Sequence, residues 1–209
     1  GDGASGYVVA PTSGAPEGAS VVAAVMDGKG YASISDAIAA INDTEQHTIT
    51  LVDLDGDNDN IVTGEGVFLG AGDKNIVIDF NGLTYNVNTL VGSAGTESQL
   101  FHLEKGNTVT LKNGTIGVDT AASGVLMFIQ NYSFLTLDNM TVDSSAFNDV
   151  SYTVSNNNGS LTVTGDTTIK AADGKVAFDV WYGMYESYYD GVTVTFDEGF
   201  TGTVIGKVE

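Results

Sequence analysis

The chain has no cysteine among its 209 residues, so neither a disulfide framework nor a thiolate metal site holds it together. It has no arginine either: all seven basic residues are lysines, set against 27 Asp and Glu for a formal charge of −20. A surface of that sign repels phosphate backbones, which excludes nucleic acid as a partner. No apolar run approaches the ~18 residues that a transmembrane helix needs. Proline is confined to Pro11 and Pro16, inside a Gly-, Ala- and Ser-rich stretch (residues 1–20) that reads as a flexible linker. Residues 21–209 then form one domain, because a hydrophobic content of 42% is too high for a disordered chain.

What the chain has instead is a recurring phrase. It reads Val109-Thr110-Leu111-Lys112-Asn113-Gly114-Thr115-Ile116 and again Leu135-Thr136-Leu137-Asp138-Asn139-Met140-Thr141-Val142. A looser copy starts at Leu161-Thr162-Val163, and a strand half returns as Val192-Thr193-Val194-Thr195. Leu111 to Leu137 and Leu137 to Val163 are both 26 residues apart. A strand-turn-strand unit repeating at such a period predicts a solenoid, in which each coil buries its apolar face on the next. About three short strands per coil and five to seven coils are expected. Thr110, Thr136, Thr162 and Thr193 should stack outward, and Val109, Leu135, Leu161 and Val192 inward. Ile76, Ile78 and Phe80 alternate in the same sense. Asn113 follows Asn81 by 32 residues, one out of inward parity, so a bulge or a changed turn must absorb the difference. The 31 residues from Val163 to Val194 leave five beyond the period, to be housed as an insertion around Trp181–Tyr189.

One helix is expected, at about residues 33–41. Ile34, Ala37, Ile38 and Ile41 fall on one helical face, and Ser33 with Asp36 forms a capping box. Such a helix suits the lid of a solenoid whose end would otherwise expose its core and strand edges.

Two segments carry candidate ligand chemistry. The loop Asp53-Leu54-Asp55-Gly56-Asp57-Asn58-Asp59-Asn60 alternates hard oxygen donors, so Asp53, Asp55, Asp57 and Asp59 are candidate calcium ligands. It is not an EF-hand, since Asn58 stands at its sixth position and Gly64 at its twelfth. The segment Trp181–Asp190 holds the one Trp and four of the nine tyrosines. Protruding aromatic faces stack on sugars or anchor protein partners, which makes Trp181, Tyr182, Tyr185, Tyr188 and Tyr189 candidate ligand-binding residues. A structural cap at the solenoid's C-terminal end, or packing within one coil, is the alternative. The sequons Asn113-Gly114-Thr115 and Asn139-Met140-Thr141 recur at the repeat's turn position, so turn geometry explains them.

In their order, these residues resemble the right-handed parallel β-helix of the pectate-lyase-like superfamily. The closest likeness is to repetitive β-helix modules of large bacterial cell-surface proteins. It runs from the capping segment Tyr31–Ile38 through Thr48-Ile49-Thr50-Leu51 and Ile76-Val77-Ile78-Asp79-Phe80-Asn81-Gly82 to the Val109–Ile116 phrase. The resemblance implies an all-β fold with an N-terminal helical cap, and an extracellular, bacterial-surface or secreted location. It implies a spacer, an adhesin or a carbohydrate-binding unit, with polysaccharide or a cell-surface protein as partner. The same fold also hosts polysaccharide lyases and hydrolases. Lyases of this kind pair a basic residue, often arginine, with calcium, and galacturonan hydrolases use Asn-Thr-Asp, Asp-Asp and Gly-His-Gly motifs. This sequence has neither the arginine nor those motifs, and His47 and His102 lie in strand contexts without a nucleophile signature. A non-catalytic module is the leading expectation, and a carbohydrate-active enzyme or an inactive relative of one the alternative.

Overall fold

The computed structural model of the chain describes residues 21–55, 57–183 and 192–209. The linker expected at residues 1–20 lies outside them. The first elements form a cap. β1 (Ala24–Met26) turns through Asp27 and Gly28, both at positive φ, into β2 (Lys29–Tyr31), which pairs with it antiparallel. The helix α1 (Ile34–Ala39) follows. Ser33 Oγ accepts the Asp36 N–H at 3.0 Å, so the expected cap forms through its serine. Ile34, Ala37, Ile38 and Ile41 are all buried, as their spacing requires.

From there the chain is strand and turn. β3 (Gln46–Leu51), β4 (Ile61–Glu65) and β5 (Val67–Leu69) make one layer. β6 (Asn75–Asp79), β7 (Thr84–Thr89) and β8 (Gln99–Leu103) make the next. In the two layers after that the first two strands merge: β9 (Thr108–Val118) precedes β10 (Met127–Asn131), and β11 (Phe134–Asp143) precedes β12 (Tyr152–Ser155). β13 (Ser160–Thr164), β14 (Thr168–Lys170) and β15 (Val176–Phe178) follow. β16 (Val194–Phe196), β17 (Thr203–Ile205) and β18 (Lys207–Val208) form the last described layer.

Each layer pairs in parallel with the one before. The ladders β3-β6-β9-β11-β13-β16 and β4-β7-β9-β11-β14-β17 share β9 and β11, and with the cap they form a 12-stranded sheet. The ladder β5-β8-β10-β12-β15-β18 is a separate 6-stranded sheet. Neither sheet closes on itself. The fold is therefore all-β with parallel sheets, and in each layer the chain crosses to the smaller sheet and then returns to the larger one.

The apolar core lies between the sheets. Ile49, Ile78, Leu111, Leu137 and Val163 are register partners in succession, each at most 1% exposed. Phe101 reaches across from the second sheet to the rings of Phe80 (6.4 Å between centroids) and Tyr85 (6.3 Å). Thr110, Thr136 and Thr162 align on the other face, as expected. The fourth member does not. Thr162 pairs with Thr195 rather than Thr193, and Leu161 with Val194 rather than Val192. The insertion before β16 is thus two residues longer than the sequence spacing suggested. A shift of two keeps inward residues inward, so the phrase at 192–195 tolerates either alignment.

The parity mismatch around Asn81 is absorbed by a turn. Asp79 pairs with Lys112, and Thr84 with Thr115, so Phe80–Leu83 occupies the place of Asn113 and Gly114. Asn81, Asn113 and Asn139 all hold φ between 52° and 60°, the left-handed conformation that asparagine tolerates. The extra length points Phe80 into the core, directly against the neighbouring turn. A Cβ on Gly114 would lie 2.2 Å from Phe80 Cβ and 2.6 Å from Leu83 O. Gly114→Ala is therefore expected to destabilise the domain by about 1–3 kcal/mol, read as a lower denaturant midpoint with an unchanged slope. Phe80→Ala, which leaves a cavity at a fully buried ring, should cost about 3–5 kcal/mol by the same measurement.

Candidate functional site

After β15 the chain presents Trp181 and Tyr182 at 48% and 47% exposure. Their backbone is fixed from below. The Asn158 N–H donates to Trp181 O at 2.7 Å, the Trp181 N–H to Asn156 O at 3.3 Å, and the Gly183 N–H to Asn158 Oδ1 at 2.6 Å. Asn156 and Asn158 are themselves buried, so two aromatic side chains stand out from a rigid corner. Tyr185, Tyr188 and Tyr189 lie outside the described residues.

Asn156 belongs to a polar row that sequence reasoning missed. The register Leu69, Leu103, Asn131 begins as an inward apolar row and then turns polar. Asn131 is fully buried and donates to Asn156 Oδ1 (2.7 Å) and Ser160 O (3.1 Å). It accepts from the Ser133 N–H (2.9 Å) and hydroxyl (2.7 Å). Asn156 donates its N–H to Asp179 Oδ1 at 2.5 Å, while its Nδ2 has no partner among the described residues. Burial lifts the Asp179 carboxyl above the usual range, and the nearby Glu209 charge adds to the shift. The available signal was the spacing: Asn107, Asn131 and Asn156 each stand between two strand patterns.

The acidic loop between β3 and β4 is built from successive carboxylate-to-backbone turns. Asp55, Asp57 and Asp59 each accept the N–H two residues on, at 3.1, 3.1 and 2.8 Å, and Asp53 accepts that of Asn60 at 3.2 Å. Carboxylate oxygens of Asp53, Asp57 and Asp59 come within 4.8 Å of one another, while Asp55 is not part of that group. Three of the four expected calcium ligands thus converge. The Asp59 N–H pulls the Asp57 carboxyl down, but desolvation and the charges of Asp55 and Asp59 outweigh it and hold the group above its ordinary value. Crowded like charges oppose folding at neutral pH. In chelator, Asp57→Asn keeps the turn acceptor, sheds one charge and should raise Tm by about 1–2 °C. A calcium-binding loop predicts the reverse ranking in millimolar calcium, with the wild type rising most; calorimetry in both buffers reads the difference.

Both histidines are engaged in structural contacts. His102 is buried on β8, stacked on Phe68 (4.7 Å, 9°) and tilted against Tyr132 (5.6 Å). Its Nδ1 lies 2.8 Å from Gln99 Oε1 and its Nε2 2.7 Å from Glu104 Oε1. His47 stands first in the inward row that continues as Ile76, Val109 and Leu135, directly under the cap. Its Nδ1 is 2.8 Å from Asp27 Oδ2 in the β1–β2 turn, and its Nε2 2.9 Å from Asp43 Oδ1 after α1. Hydrogen bonds to Asp43 and then Asp27 raise its pKa, and the bond to His47 lowers that of Asp43. The sign follows from each direction. The His47 contribution is whole below its unfolded value of 6.5 and is lost as pH rises through its higher folded value. That of Asp43 is whole above 3.8 and is lost as pH falls through its lower folded value. The Tm difference between wild type and His47→Gln should be largest between those limits and shrink above neutrality, in a melt series across pH.

Comparison with models of known protein families, with curated proteins and with solved structures yields no match for this chain.

Proposed function

We propose that the chain is a non-catalytic extracellular module of a bacterial surface protein. It acts as a rigid spacer whose Trp181–Tyr182 corner contacts a polysaccharide or a cell-surface protein. The architecture in this reading is a single right-handed parallel β-helix of the pectate-lyase-like kind. Three features support that architecture: the regular return of the chain to each parallel ladder, the helical cap, and the order of the motifs from Tyr31 to Ile116. Location and surface role rest on the resemblance to repetitive surface modules.

The observation that carries the contact site is the pairing of two half-exposed aromatic rings with a backbone pinned by buried asparagines. A recognition surface gains from such pre-organisation, because little conformational freedom is lost on binding. A carbohydrate-active enzyme is the competing reading. It needs ionisable groups converging on a substrate groove, and the engagement of His47 and His102 with structural partners favours the spacer.

A glycan-array and surface-protein screen of wild type beside Trp181→Ala/Tyr182→Ala tests the proposal. The expected result is binding that falls at least tenfold in the variant while its Tm stays within about 2 °C, as for exposed positions away from the core. Binding that survives the double substitution, or turnover of a polysaccharide by the wild type, would overturn it.

A further inference from the structure

The loops joining β9 to β10 (residues 119–126) and β11 to β12 (residues 144–151) lie on neighbouring layers and enclose a cleft of about 330 Å³. That volume is at the lower end of small-ligand pockets. The cleft is well apart in sequence from Trp181, and both its walls are fixed. Asp119 Oδ1 accepts the Ala121 N–H and Asp143 Oδ1 the Ser145 N–H, each at 2.8 Å. The Ser151 N–H donates to Leu126 O at 2.9 Å, tying one loop to the other. Val125 and Val150 are buried behind them, and the Phe147 ring packs on Phe128 at 5.7 Å.

The lining is chemically selective. Ala122, Val125 and Ala146 supply methyl groups, Phe147 an aromatic ring, and Ser123, Asn148 and Asp149 the polar groups. Asp119 and Asp143 are held by their own turns, and Asp143 also faces Lys170 Nζ at 3.6 Å. Asn148 and Asp149 are exposed and make no side-chain hydrogen bond or ion pair among the described residues. No lysine lines the cleft.

We infer that this cleft receives the side chain of a lysine on a partner polypeptide. The ammonium group donates to the Asp149 carboxylate and Asn148 Oδ1, the Phe147 ring attracts the same charge, and the methyl wall takes the aliphatic stem. A chain of net charge −20 concentrates cations at such a mouth and repels carboxylates and phosphates. A divalent metal would need several oxygen ligands, and one carboxylate with one carboxamide and one hydroxyl is too few. An amino sugar carries the same ammonium but brings several ring hydroxyls, more than the Ser123 hydroxyl amid methyl groups can satisfy.

The test is an NMR titration of the chain with a Gly-Lys-Gly peptide, its ε-acetylated form and a glucosamine trimer. The expected result is saturable shifts at residues 122–125 and 146–149 with the lysine peptide and none with the acetylated one. Affinity should fall at least tenfold in Asp149→Asn, weaken with added salt, and stay unchanged in Trp181→Ala/Tyr182→Ala. That last comparison separates this site from the aromatic corner. Absence of shifts at 10-millimolar-scale peptide, equal shifts with the acetylated peptide, indifference to Asp149→Asn, or preference for the glucosamine trimer would each overturn the inference.

Discussion

Everything in this molecule depends on inward side chains stacking in register from one layer to the next. Neighbouring parallel strands lie about 4.8 Å apart, so each inward residue rests on its equivalent below, and no layer has a core of its own. Layer length is free to vary while that register is kept. The partners of Ile78 and Leu111 are 33 residues apart, those of Leu111 and Leu137 only 26, and those of Leu161 and Val194 again 33. Surplus residues collect in turns and connections, which is where Phe80–Leu83 and the segment before β16 are found. The constraint falls back on the neighbours: Gly114 must lack a side chain because the longer turn beneath it delivers Phe80 to the same space.

The same stacking rule gives the polar row its meaning. A buried carboxamide is costly unless its donors and acceptor are matched, and stacking one Asn on another matches them. Asn131 does so with both Nδ2 hydrogens and a twice-used oxygen. Asn156 receives that ladder on its oxygen, while its own Nδ2 finds no partner among the described residues. It is also the residue whose carbonyl holds the Trp181 N–H. The aromatic corner is thus mounted where this row switches from leucine to amide, with Asn156 of the row and the neighbouring Asn158 sharing its backbone.

How much of this could be read from the residues follows from how far apart the causes lie. The repeat, the strand faces and the capped helix were legible because periodicity is local: Leu111, Leu137 and Val163 announce themselves by spacing, and Ser33 with Ile34, Ala37 and Ile38 by helical phase. The alignment of β16 was not, since Val192 and Val194 have the same parity and only the length of the preceding insertion decides between them. Convergence of Asp53, Asp57 and Asp59 without Asp55 depends on loop curvature, which alternation alone does not specify. His47 bridging Asp27 and Asp43 joins three elements across the cap, and the inward Asn row looks in sequence like ordinary turn composition. The lysine-sized cleft is still less visible, because its two walls are 20 or more residues apart and meet only through the stacking.

Part of the acidity of the chain is a turn property. Asp43, Asp55, Asp57, Asp59, Asp79, Asp119, Asp143 and Asp197 each accept the N–H two residues further on. A layered fold turns several times per layer, and a carboxylate closing each turn satisfies a donor that no ladder can reach. Two of these also face a lysine of the next layer, Asp79 with Lys112 at 3.7 Å and Asp143 with Lys170 at 3.6 Å. The charge of −20 therefore sets a long-range field that draws cations but does not by itself mark a binding site, because eight of its 27 acidic carriers already hold backbone. The argument reverses for an aspartate with no such task. Among the described residues Asp149 closes no turn and faces no lysine, yet it lines a rigid cleft together with the Phe147 ring. Sorting the carboxylates by what they already hold, rather than counting them, is what separates the acids that build this fold from those free to meet a partner.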